Sequence, residues 1–305
     1  MKRKQLSRRQ FIQRSLTVTG ALALGSSGLM PALGAAAAKR TAVDQVTLGG
    51  TGIKLSRLGM GTGSNSGHVQ TALGREGFKR LIQYAYDQGI TCFDCSQTYV
   101  TFDWLGAAIK GLPREKLFIQ SKIPGQPENV LETIDHHRKV FDTDYVDSML
   151  IHCMVRDDWT EQWKRVMDGF NQARDKGWIR AKGVSCHSLP ALRQATETPW
   201  TDVHLVRVNP QGRHIDGPEQ SVWSDKLHDV APVVAEIKAM RAKGRGVIGM
   251  KIIGNGEFIN ADDRERSIRF AMSRPELDAV VIGFKSPAEI DEAIQRMNRA
   301  LAEAA

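Results

Sequence analysis

Gly89-Ile90-Thr91-Cys92-Phe93-Asp94-Cys95-Ser96-Gln97-Thr98-Tyr99 is the stretch that decides how this chain is read. An apolar run ends there on a carboxylate, and a phenol follows shortly after. Two later runs end in the same way, Leu117-Phe118-Ile119-Gln120-Ser121-Lys122 on an ammonium and Tyr145 through His152 on an imidazole. Short runs rich in Val, Ile and Leu suit strands buried on both faces of a parallel sheet. Parallel α/β barrels gather their chemistry at the ends of such strands.

Working outward, the alternation of strand and helix is regular. Leu58-Gly59-Met60-Gly61 reads as a first barrel strand, followed by strands near 90–94, 117–122, 145–151, 179–184, 203–208, 246–250 and 279–283. Helices are predicted around 75–88, 101–110, 127–141, 160–175, 188–196, 229–243, 262–271 and 287–303. The last carries Ile290, Ala293, Ile294 and Met297 at helical spacing, as an amphipathic outer helix would. Regular strand–helix alternation of this length predicts a (β/α)8 TIM barrel rather than an open Rossmann sheet. Val46–Gly49 and Ile53–Ser56, joined through Gly50-Thr51-Gly52, predict a β-hairpin. Gly59-Met60-Gly61-Thr62-Gly63 lacks the full dinucleotide fingerprint and reads as the turn after the first strand.

The strand-end residues form a chemical set. A phenol with its ordinary pKa near ~10 is a poor proton carrier at neutral pH. A neighbouring ammonium stabilises the phenolate, a carboxylate holds the ammonium charged, and an imidazole can orient a substrate oxygen. Asp94, Tyr99, Lys122 and His152 are thus candidates for moving a proton at a carbonyl oxygen.

On these residues the chain resembles the aldo/keto reductase family, over roughly Val46 to the C-terminus. The matching features are Asp94 followed by Tyr99, Lys122 closing the next strand and His152 after Ser148-Met149-Leu150-Ile151. Gly183-Val184-Ser185 and Val281-Ile282-Gly283 match in order after them. The resemblance implies a hairpin covering the barrel floor and direct hydride transfer between NADP or NAD and a carbonyl or sugar-like substrate. It assigns Tyr99 as general acid/base and requires no metal. The implied cofactor residues are Gly61, Thr62, Ser185, Cys186, Asn209, Lys251, Gly283, Lys285, Ser286 and Glu289. Cys186 stands where the family has an asparagine, and Asn209 substitutes for a usual glutamine. Lys285 and Ser286 favour a 2′-phosphate, with a slight preference for NADP. Glu289 opposes a phosphate and suits a ribose hydroxyl instead.

Cys92 and Cys95 form a C-x-x-C, while Cys153 and Cys186 end strands. Alternation places Cys92 on the inward side with Asp94. Cys95, Cys153 and Cys186 are expected at the barrel mouth, where ordinary packing, a disulfide and a zinc site are the alternatives. His136 and His137 are neighbours in a helix and point to different faces. The segment 211–228, with His214, Trp223 and His228, reads as a loop on the active face that sets substrate choice. Trp104 and Trp159 are either further aromatic wall or helix packing.

The N-terminal segment belongs to a different regime. Ser7-Arg8-Arg9-Gln10-Phe11-Ile12 reads as a twin-arginine export signal, followed by a weakly apolar stretch and Ala35–Ala38 as a cleavage region. Residues 1–40 are therefore assigned to export through the Tat translocase, and 41–305 to one barrel domain. An exported or periplasmic location follows, with membrane retention if the signal stays uncleaved and no stable span after cleavage. Residues 1–38 carry six cations and no acid, so the formal charge falls from +8 to near +2 (8 − 6) without them. Nucleic-acid binding thereby loses its electrostatic support. The rival readings are a non-catalytic dinucleotide-binding sensor or scaffold, and a hydrolase or lyase on the same barrel.

Overall fold

A computed structural model describes residues 40–304 except Pro275, and the expected export signal lies outside the described residues. Eight parallel strands close into a barrel: β3 (Leu58–Gly61), β4 (Cys92–Asp94), β5 (Phe118–Ile123), β6 (Val146–Met154), β7 (Ile179–Cys186), β8 (Val203–Arg207), β9 (Gly246–Met250) and β10 (Ala279–Gly283). Pairing follows chain order, and β10 returns to β3 with Ile282 opposite Met60. The main outer helices are α1 (Gly74–Asp87), α2 (Phe102–Ile109), α3 (Val130–Val140), α4 (Lys164–Asp175), α5 (Leu189–Glu197), α6 (Ala231–Ala242), α7 (Ala261–Met272) and α8 (Pro287–Glu303). Short helical turns precede α1 and α4.

Several helices begin where a side-chain cap satisfies a free amide. Asn129 accepts from Glu132 N at 3.0 Å before α3, Ser188 from Ala191 N at 3.2 Å before α5, and Ser286 from Glu289 N at 3.3 Å before α8. Pro190 and Pro287 occupy first-turn positions, where no amide hydrogen is needed.

The predicted hairpin is present as β1 (Gln45–Thr47) and β2 (Lys54–Ser56), an antiparallel pair. Leu48, Ile53 and Leu55 pack with the inward Cys92, Phe118, Leu150 and Leu205 as a cluster separate from the strand–helix core. The hairpin is pinned below by Asp278, whose carboxylate accepts from Gly49 N and Val247 N, both at 3.0 Å. Gly49 has φ +49°, and a Cβ there would lie 2.3 Å from Gly246 N, so only glycine permits this approach. Closing the floor with apolar side chains leaves the opposite, C-terminal end of the barrel as the open one.

Candidate active site

Four chain segments bring the predicted proton-handling residues together at that open end. Asp94 is the last residue of β4 and Lys122 lies within β5. His152 sits inside β6, which runs to Met154, further than the sequence pattern indicated. Tyr99 is held in the loop between β4 and α2, where its amide bonds to Ser96 O at 3.0 Å.

Lys122 Nζ donates to both oxygens of Asp94, at 2.8 and 2.9 Å, and to Cys95 O at 2.7 Å. The pair is almost wholly buried. Gln120 donates to Asp94 Oδ1 at 2.8 Å and accepts from Ser148 Oγ at 3.0 Å, so the carboxylate is held by a chain of buried donors. Gln120 and Ser148 are inward residues that their run of apolar neighbours gave no reason to single out. The ammonium lies 5.2 Å from the centre of the Tyr99 ring. Tyr99 and His152 meet edge to face with centroids 5.7 Å apart. His152 Nδ1 shares a 3.1 Å hydrogen bond with Ser96 Oγ, which leaves Nε2 to the cavity. At Gly63 a Cβ would stand 2.4 Å from the Tyr99 ring, so a side chain there would displace the phenol.

Electrostatics qualify the expectation of an acidified phenol. Burial pushes the Tyr99 hydroxyl up to about 12, and the opposing attraction of Lys122 does not offset it. Burial also opposes the charge on Lys122, but Asp94 and Tyr99 more than restore it, and its pKa is raised. His152 is pushed down to about 3 by burial, then by Lys122 and Lys251, so its imidazole is neutral. Lys251 falls to about 8, again from burial first and then Arg207.

A cavity of about 500 Å³ opens over this group and is bounded by Tyr99, His152, Cys153, Ser185, His187 and Trp223. It adjoins a smaller cleft with Gly61, Lys251 and Gly283 on its walls. Beyond lies a cavity of about 450 Å³ between Lys285, Glu289, Arg264 and Arg296. A larger groove of about 1130 Å³ between α3 and α4 holds no such convergence of groups, so volume does not locate the chemistry.

The predicted cofactor residues divide. Gly61, Ser185, Lys251 and Gly283 border the two central cavities, and Lys285 and Glu289 border the third. The Ser185 hydroxyl is buried without a partner among the described residues, which suits an amide of a nicotinamide ring. The others are engaged elsewhere. Thr62 Oγ1 donates to Asp94 O at 3.0 Å. Asn209 donates to Arg213 O and Lys251 O and accepts from Arg213 N, so its side chain braces the following loop. Ser286 caps α8, and the Glu289 carboxylate reaches back past the cap to accept from Lys285 N at 2.7 Å. Cys186 packs in the strand–helix core and turns away from the cavity.

The cysteine expectation also needs correction. Cys95 belongs to the same outer core, so Cys153 is the one of the three thiols at the mouth. Cys92 faces inward as expected, and all four cysteines are free thiols. Trp104 packs on Phe78, and the buried Trp159 donates to Ala191 O, so both are helix packing. His137 is buried and bonds to Gln97 Oε1 at 3.0 Å. The loop after β8 does cover the active face. His214 stacks on Trp223 with centroids 4.0 Å apart, and Lys251 Nζ lies 5.6 Å from the Trp223 ring. Arg207 anchors the loop through a buried 2.7 Å bond to Asp216 and a 3.1 Å bond to Val222 O.

His187 reaches the cavity without a sequence signal, beside Cys153, which was expected at the mouth. Pairing of β6 with β7 slips between Ile151 and Met154, and Cys153 has φ +62°. The slip lets His152 and Cys153, adjacent in a strand, both face the cavity.

The chain belongs to the aldo/keto reductase family, whose model matches residues 57–267. It is similar to the NAD/NADP-dependent indole-3-acetaldehyde reductase of Schizosaccharomyces pombe, 28% identical over 43% of this chain and 48% of that protein. The 2,5-diketo-D-gluconic acid reductase B of a Corynebacterium species is 30% identical over 39% of this chain and 44% of its own. The matched regions span 44–61% of the length of the curated relatives. In fold, the chain superposes on an aldo-keto reductase of Bacillus halodurans in its holo form with a TM-score of 0.66. That match has 14% identity and covers 86% of this chain and 96% of the other.

Proposed function

We propose that this protein interconverts a carbonyl and an alcohol with NAD(P)(H), with Tyr99 as the general acid/base. The observation that carries this reading is the buried Asp94–Lys122 pair beneath Tyr99, with His152 against the same ring. A buried ammonium fixed on a carboxylate is costly to maintain unless its field is used. When bound, the reduced nicotinamide supplies the hydride. Its amide is proposed to meet Ser185, and its phosphates to run past Gly61 and Gly283 toward Lys285.

The residues of the chain handle the oxygen. His152, neutral, donates from Nε2 to the carbonyl oxygen, while its Nδ1 accepts from the Ser96 hydroxyl. Tyr99 stays protonated at neutral pH and gives its proton to the developing alkoxide, and Lys122 stabilises the phenolate left behind. Trp223 and Lys251 form the outer wall, which suits an aldehyde or a sugar-like carbonyl of modest size. The names of the two reductases above support that substrate class.

We further propose export by the twin-arginine route, supported by Arg8-Arg9 and the small-residue stretch that follows. That route carries folded proteins, so the nucleotide would be loaded before export, and exported protein purified without bound nucleotide would argue against it. The outward turn of Cys186 supports a second reading, a nucleotide-binding scaffold, because Ser185 then meets the amide without its neighbour.

Fluorescence titration with NADPH and NADH, beside a carbonyl-reduction screen of wild type and Tyr99→Phe, tests both. Binding with turnover lost in the variant supports the reductase. Binding without turnover in the wild type supports the scaffold, and absence of binding overturns both.

A further inference from the structure

We propose that His152, Cys153 and His187 form a three-ligand site for a borderline-soft divalent cation, of which Zn²⁺ is the type. Their candidate ligand atoms lie within 4.8 Å of one another. Cys153 Sγ and His187 Nε2 are already 3.5 Å apart. Bonds of about 2.3 Å to sulfur and about 2.0–2.1 Å to nitrogen place tetrahedral ligands roughly 3.3–3.7 Å from one another. The 4.8 Å bound leaves the ligand atoms at most roughly 1.5 Å to close.

Two further observations point to a ligand role. His187 Nδ1 lies 3.1 Å from Val222 O, and a carbonyl only accepts. Nδ1 therefore carries the proton, and Nε2 turns a lone pair toward Cys153. This is how metal-binding histidines are oriented, with the other ring nitrogen donating to a fixed acceptor. His152 is held in the same way through Ser96, a hydroxyl that can accept from Nδ1. The backbone supplies the second observation. The slip in β6 and the left-handed φ of +62° at Cys153 turn adjacent residues into one cavity, where a regular strand would send them to opposite faces. Cysteine has no intrinsic preference for that conformation, and the tertiary structure maintains it.

The neighbouring cations are accounted for. Lys122 is bound to Asp94, Arg207 to Asp216, and Lys251 donates to Asn255 Oδ1 at 2.8 Å. A thiolate ligand brings negative charge to the site. Three protein ligands leave one position open to the cavity shared with Tyr99 and Trp223, for a water. A bound cation takes His152 away from the substrate oxygen, so the two uses of that imidazole exclude each other. The inference does not rest on the reductase reading, since binding is measured with no nucleotide or carbonyl present.

Cobalt titration of the reduced full-length protein reads the site directly. The expected result is one Co²⁺ per chain with a thiolate-to-cobalt charge-transfer band, displaced by Zn²⁺. The chain has four cysteines, and the other three are buried, so the band reports Cys153. Cys153→Ser should abolish the band, and His187→Gln should weaken affinity at least tenfold with unchanged circular dichroism. X-ray absorption of the zinc-loaded wild type, which needs no variant to fold, should show one sulfur and two imidazole nitrogens. A wild type without the band, a band that survives Cys153→Ser, or a zinc shell without sulfur would overturn the assignment.

Discussion

Lys122 Nζ sits between the two carboxylate oxygens of Asp94, at 2.8 and 2.9 Å, with its remaining contact spent on Cys95 O at 2.7 Å. The ammonium therefore acts on Tyr99 as a fixed charge and is itself held from three sides. Removing one partner of such a buried pair costs about 3–5 kcal/mol in stability. Lys122→Met should lower kcat/KM for carbonyl reduction by about 10²–10⁴-fold, the usual range for losing support of a general acid. Nucleotide affinity should change little. Steady-state kinetics beside a nucleotide titration separate the two, and a variant that retains wild-type turnover would remove Lys122 from the mechanism.

The raised pKa of Tyr99 gives the two reaction directions different pH profiles. Reduction uses the protonated phenol, which persists at all pH values below about 12. Oxidation uses the phenolate, whose population grows tenfold per pH unit below that value. The expected outcome is a pH-independent reduction between neutrality and pH 9, while kcat/KM for alcohol oxidation climbs with a slope near one. A reduction rate that titrates away near neutrality would show that another group supplies the proton.

At the far end of the cleft the charges are balanced. Arg264 and Arg296 both bond to Glu292, and Lys285 Nζ stands 3.7 Å from Glu289. A 2′-phosphate arriving beside Lys285 would meet the Glu289 carboxylate as well. Glu289→Gln keeps an acceptor for Lys285 N and removes that charge. It should tighten NADPH several-fold and leave NADH nearly unchanged, as read by parallel titrations. An equal effect on the two nucleotides would place the 2′-phosphate elsewhere.

His204 is wholly buried on β8, and neither ring nitrogen has a partner among the described residues. Burial pushes its pKa down to about 3 from 6.5. A group whose folded pKa is depressed in this way stabilises the fold least in acid. Its contribution is complete above about pH 6.5 and is lost as pH falls toward 3, at about 1.4 kcal/mol per unit. His204→Leu should raise the denaturation midpoint at neutral pH, because it removes unsatisfied buried nitrogens, and should flatten the loss between pH 6.5 and 5 by about 2 kcal/mol. Equal acid sensitivity in the two proteins would mean that His204 already titrates normally.

Much of this molecule could be read from local pattern. Alternation of apolar runs with helical periodicities defined the strands and helices of the barrel. Asp94, Lys122 and His152 were visible because a parallel barrel turns strand ends into one rim, and Tyr99 because it follows Asp94 at a short, fixed spacing. Each of these depends on interactions close in sequence or on a rule of the fold.

Tertiary structure alone decided which neighbours share a cavity. Cys186 lies beside Ser185 in sequence yet faces the outer helices, while His187 faces in. Cys153 joins His152 only because the β6–β7 register slips, and no composition or period announces a slip. The phenol's pKa belongs to the same class. Sequence showed a lysine that would lower it, but burial, a sum over every group packed around Tyr99, outweighs that single charge. Pattern along the chain specifies elements and their ends. Side-chain direction at a bulge and the desolvation of a buried group arise from contacts distant in sequence, and only the closed barrel brings those contacts together.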